Sequence, residues 1–164
     1  MVSWNRIQSL YQPRAERHAR AAQLMGLLCP PDVFVPLFHE RREDEGVNRV
    51  MRSVDVSQVR WVLEERTGSE LREVSVDRSF QRAVDEAYRG VVRRRVECSG
   101  ERDTWTERGT WSEPPILISG EVLGSGVRDT LLVGSTRLGR LLGMLDRGRV
   151  PEASRHLVWV GGTR

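Results

Sequence analysis

The sequence predicts an α+β domain, a small mixed sheet with packed helices, carrying an N-terminal helical elaboration. Three observations lead there. First, the apolar run Leu131-Leu132-Val133 has the length and bulk of a buried strand, and the period changes at Gly134: Leu138, Leu141, Leu142 and Leu145 then recur at i, i+3, i+4 and i+7, one face of a helix. Second, Ile116–Ser119 and His156–Val160 are short apolar strands on either side of that unit, and residues 71–76 alternate in a strand-like way. Third, 164 residues suffice for one domain with a real core and are short for two.

Taken in order, Pro13 to Leu28 reads as a helix with Pro13 in its first turn. Cys29-Pro30-Pro31-Asp32 breaks it. Val33 to Phe38 is apolar and rich in strand-preferring residues, with Pro36 restricting it to a sheet edge. Residues 39–49 form a charge-dense loop; Glu40, Glu43, Asp44 and Glu45 there suit a solvated connection better than a catalytic acid cluster. Val54 to Thr67 reads as a helix capped by Asp55 or Ser57, with Val59, Val62 and Leu63 as its apolar side, Trp61 on the core or facing a partner, and Gly68 as its stop. After the strand at 71–76, Asp77 caps a second helix to about Arg95, held to the core by Phe80, Val84, Ala87 and Val91. Residues 97–113 have no sustained period and carry Trp105 and Trp111 in polar surroundings. Both an exposed interface and closure over the core fit those tryptophans. Pro114-Pro115 then fixes the entry to strand 116–119, and Gly120 to Gly126 turns the chain back toward Leu131 as a hairpin. The division expected is an N-terminal extension over 1–70 and a domain over 71–164, together forming one compact unit.

All 26 basic residues are arginine. A Walker-A lysine, a Schiff base and a lysine general base are therefore excluded. The net charge is only +3, with arginines interleaved among acids, which gives little support to a nucleic-acid partner. Arg93, Arg94 and Arg95 suit the C-terminal end of their helix and are also the place where phosphates could be touched. Cys29 and Cys98 have no metal-ligand spacing, so no metal site is expected and reduced thiols are. Without an N-terminal apolar leader or a run of about 18 apolar residues, the expected location is the cytoplasm, with no membrane partner.

The chemistry concentrates at Gly134-Ser135-Thr136-Arg137. A helix starting at Ser135, read as its N-cap, aims unpaired N–H groups and its positive dipole end at the mouth of the turn, where an anion fits. Arg137 and Arg140 add planar cationic forks suited to phosphate oxygens.

The stretch GSTRLGRLLGMLDRG resembles the signature of the ParB/sulfiredoxin-like superfamily, the ParB-like nuclease domain, in which many relatives read GHTR where this chain reads GSTR. PPILISG at 114–120 and HLVWVG at 156–161 match the strands before and after that signature, so the resemblance covers about residues 71–161. It implies that the turn Gly134-Ser135-Thr136-Arg137 holds the phosphates of a nucleotide, with ATP or CTP and Mg²⁺ expected, and Arg140 joins this phosphate-binding set by its place in the helix. Phosphotransfer, NTP hydrolysis and nuclease activity are the reactions it suggests. Position 135 is serine, not the cysteine of the sulfiredoxin branch, the glutamate of the ParB branch or the histidine of the GHTR branch, which favours binding over catalysis. Metal-assisted chemistry would need a carboxylate near the turn, and Glu113, Glu121 and Asp129 are the candidates by proximity in sequence. The alternative is a non-catalytic interaction module serving a protein partner through Trp105 and Trp111, or a nucleic acid through its arginine-rich faces.

Overall fold

The computed structural model describes residues 29–41, 43–93, 110–124 and 128–163. The helix expected at 13–28, Cys98, Trp105 and the arginines at 94 and 95 lie outside them. The described residues form an α+β fold with a four-stranded mixed sheet and five α-helices. In chain order these are α1 (Pro31–Phe34, continued by a π-helical turn over Val35–Glu40), α2 (Glu45–Met51), a 3₁₀ turn (Val56–Gln58), β1 (Val59–Thr67), α3 (Gly68–Arg72), α4 (Arg78–Arg93), β2 (Ile116–Ile118), β3 (Thr130–Val133), α5 (Ser135–Asp146) and β4 (Arg155–Thr163).

The sheet runs in the order β1-β4-β2-β3. The strand β4 lies antiparallel to β1 and parallel to β2, while β2 and β3 form an antiparallel pair with an irregularity between Ile116 and Leu117. Because side chains alternate along strands, the two faces bury different sets. Val59, Trp61, Ile116 and Ile118 meet Val33, Leu37, Val47, Met51 and Phe80 on one side. Leu117, Leu131, Val158 and Val160 meet Leu138, Leu141 and Leu145 of α5 and Val84 of α4 on the other. Helices thus cover both faces.

Several local expectations change. Residues 54–67 are not a helix: the 3₁₀ turn, capped by Asp55 through Ser57 N at 3.1 Å, leads into β1, which pairs with β4 over all nine residues. Val59 and Trp61 point into the core with exposed Arg60 between them, a period of two that the helical spacing of Val59, Val62 and Leu63 obscures. Conversely, most of the strand expected at 71–76 is absent. Thr67 and Glu70 form a reciprocal capping box that starts α3, leaving Ser75 alone to bridge Thr130. The apolar segment 33–38 is helical rather than an edge strand, because Val33 and Leu37, four residues apart, both reach the core. The charged loop over 39–49 is shorter than expected: Asp44 accepts from Gly46 N (2.9 Å) and Val47 N (3.2 Å) and starts α2. Asp77 does cap α4, through Ser79 N and Oγ, and also binds Arg49 at 2.9 Å.

The pairing of α4 with α5 depends on two glycines one turn apart. A Cβ at Gly139 would sit 2.2 Å from the Val84 carbonyl oxygen, and one at Gly143 would sit 2.9 Å from Val91 Cβ. The backbones touch where those side chains are missing. This contact rotates α5 so that Leu138, Leu141 and Leu145 are buried while Leu142, expected on the buried side, is only half-buried.

Candidate functional site

The strand β3 ends at Val133, and Gly134 turns the chain with φ = 104°, in the left-handed region that favours glycine. Gly134 is the residue that caps α5, with no side-chain cap hydrogen bond, so Ser135 is the first helical residue and not the N-cap expected. The Gly134 carbonyl accepts from Leu138 N at 2.9 Å, which closes the first turn. The N–H groups of Ser135, Thr136 and Arg137 precede that bond and, as in any helix, have no partner within it.

The antiparallel β2–β3 pair sets Ile116 opposite Val133 and so brings residues 113–115 beside the turn. A Cβ at Gly134 would come within 2.8 Å of Pro115 Cβ. A cleft of about 560 Å³ opens here. Gly134, Ser135, Thr136 and Arg137 line it together with Glu113, Pro114, Asp32, Pro36 and Arg41. Val133 and Trp159 of the sheet add apolar lining. Arg137 donates from Nη2 to Glu113, whose side chain is 76% exposed. Arg41 is held by Asp44 at 3.4 Å. The cleft therefore joins two cations and two carboxylates, Asp32 and Glu113, to an aromatic surface.

Of the three carboxylates near the turn in sequence, the fold brings only Glu113 to it. Asp129 precedes β3, at the opposite end of that strand from Gly134, and pairs with Arg66 at 3.6 Å. Glu121 follows β2 and accepts from Thr163 Oγ1 at 3.2 Å, at the far end of the sheet. Arg140, one turn along α5, is half-buried and does not line the cleft. Among the described residues no group of three or more His, Cys, Asp or Glu side chains could hold a metal ion. No helix among them is long and apolar enough to cross a membrane.

Trp111 is a core residue, 7% exposed, whose Nε1 donates to the Leu157 carbonyl at 2.6 Å, so it offers no surface for a partner. Its ring lies 5.1 Å from that of His156, which the sequence marks only as the start of a strand. His156 is 1% exposed. Its Nε2 lies 2.9 Å from Ser154 Oγ and its Nδ1 lies 3.1 Å from Thr110 Oγ1. Ser154 donates its hydroxyl proton to the Pro151 carbonyl at 2.6 Å, so it accepts from Nε2–H, and Nδ1 accepts from Thr110. Both ring nitrogens are thereby satisfied in the neutral form, and burial holds the imidazole pKa below its ordinary value. This is a structural histidine. The period-two series His156, Val158, Val160 is the signal that it faces inward. Cys29 is also buried, and burial pushes its thiol up to about 12.

Searches of protein-family models, curated proteins and solved structures find no match to this chain.

Proposed function

We propose that the cleft at the head of α5 binds a phosphate-bearing ligand, with a nucleotide as the class that suits it. The observation that carries this reading is the helix start at Gly134, which has no side-chain cap hydrogen bond and opens with Arg137 into a cleft of about 560 Å³. Small-molecule sites commonly have that size. Helix N–H groups and a guanidinium are suited to phosphate oxygens. Trp159, Val133 and Pro36 are suited to the flat, less polar part of a nucleotide. The GSTR resemblance to ParB-like domains supports the same ligand class. ATP or CTP with Mg²⁺ is compatible with the donor set, because Mg²⁺ commonly takes one or two carboxylates together with substrate phosphates. Glu113 and Asp32 are the carboxylates at hand.

Binding is better supported than catalysis. Phosphotransfer, NTP hydrolysis and nuclease activity would each need a group to orient or activate a nucleophile, and Ser135 stands where the resembling families have a histidine or glutamate. The interaction-module alternative loses Trp111 to the core. Calorimetric titration with ATP, CTP, GTP and ADP, with and without magnesium, tests the reading. Saturable binding of at least one of them is expected; failure of all of them would end it.

A further inference from the structure

Strand β1 is nine residues long, lies at the edge of the sheet and has no strand on its outer side among the described residues. Its backbone orientation follows from its neighbours. On β4, Trp159 N donates to the Pro115 carbonyl and the Gly161 carbonyl accepts from Ser119 N, both at 2.9 Å, so the odd-numbered residues of β4 turn their backbone groups toward β2. The even-numbered ones face β1, where Val160 pairs with Val62 and Val158 with Glu64. This leaves the N–H and C=O groups of Trp61, Leu63 and Glu65 on the open edge. Such an edge is a template for another strand. Val62 and Leu63, 38% and 42% exposed, stand in the middle of it.

We propose that β1 is a self-association edge and that its partner is a second copy of this chain, joined β1 to β1 antiparallel about a two-fold axis through Val62. The charges on the strand select that register. Centred on Val62, Arg60 of each copy stands opposite the partner's Glu64, and the two Val62 side chains meet between these ion pairs. A shift of the axis to Leu63 would set Arg60 against the partner's Arg66, and a shift to Glu64 would set that carboxylate against its own copy. Directly opposed like charges destabilise a strand pair, and opposite ones support it. On the other face the Val62-centred register sets exposed Leu63 beside the partner's Trp61, which is packed under its own helical layer. The half of β1 left uncovered in one copy thus meets the covered half of the other. A two-fold axis makes every contact off the axis occur twice.

The inference does not depend on the ligand reading and is tested without ligand. Sedimentation of the full chain into the high-micromolar range should show a reversible monomer–dimer equilibrium. Arg60→Glu and Glu64→Arg, each checked for native circular dichroism, should each raise the dimer dissociation constant about tenfold or more, since two attractive contacts become repulsive. Mixing the two variants should restore the dimer. The carboxylate introduced at position 60 of one chain then faces the guanidinium introduced at position 64 of the other, and the unchanged Glu64 of the first faces the unchanged Arg60 of the second. A wild-type chain that stays monomeric throughout overturns the proposal even if a variant fails to fold. Variants that associate as tightly as wild type, or a mixture that does not recover, overturn the register.

Discussion

Arg137, in the first turn of α5, is paired with Glu113, which lies two residues before Pro115 at the approach to β2. Each ion restrains the other at the mouth of the cleft. The Glu113 side chain is 76% exposed, so this is a surface pair, of the kind that contributes roughly 0–1 kcal/mol to stability. A phosphate entering the cleft would compete with Glu113 for the guanidinium at small cost.

Arg137→Ala is therefore expected to weaken nucleotide binding by about 1.5–3 kcal/mol, the scale of a charge-assisted hydrogen bond, with little change in thermal stability. Arg137→Lys should recover only part of the loss, because an ammonium lacks the planar fork. Titration calorimetry of the three proteins checks this, and equal affinities would remove Arg137 from the site.

Gly139→Ala should destabilise the fold by about 1–3 kcal/mol despite a helix-propensity gain of up to about 1 kcal/mol. The new methyl would meet a backbone carbonyl at 2.2 Å, which cannot rotate away as a side chain can. Reversible urea unfolding reads the sign; a stabilised variant would mean that α4 and α5 do not touch there.

Leu141, fully buried, and half-buried Leu142 separate the two faces of α5. Leu141→Ala should cost about 2–5 kcal/mol and Leu142→Ala clearly less. The reverse order in the same unfolding experiment would show that the helix is rotated from the orientation described.

His156 makes stability depend on pH. Burial lowers its folded-state pKa below the ordinary value of 6.5, so the unfolded chain takes up a proton first as the pH falls. The contribution is fully present above 6.5 and drains away between there and the lower folded-state value. Unfolding free energies across that window should fall more steeply for the wild type than for His156→Gln. Identical slopes would mean that the imidazole is solvated.

Much of the candidate site was legible in the chain itself. Leu131–Val133, Gly134 and the leucines after it announced a strand, a turn and a helix through purely local chemistry, since only a small set of residues changes period at a glycine. Which carboxylate serves that turn was not legible, because Glu113 and Glu121 flank the same short strand and only the direction of the β2–β3 pairing carries one to Gly134 and the other away. Trp111 was equally ambiguous; its polar neighbours in sequence concealed a core position fixed by Leu157 and His156, both more than forty residues away.

By itself the sequence determined α5 and the Asp77-capped α4 through their helical period, and β2, β3 and β4 as short apolar runs. Tertiary structure alone decided β1 and the face of α5. Val59, Val62 and Leu63 fit a helix as well as Val59 and Trp61 fit a strand, and the choice fell to nine residues of pairing with β4. On α5, leucines at 138, 141, 142 and 145 describe a broad stripe. The part that is buried depends on how closely α4 can approach, and that distance was set by two absent side chains, Gly139 and Gly143, whose effect exists only when another backbone lies against them.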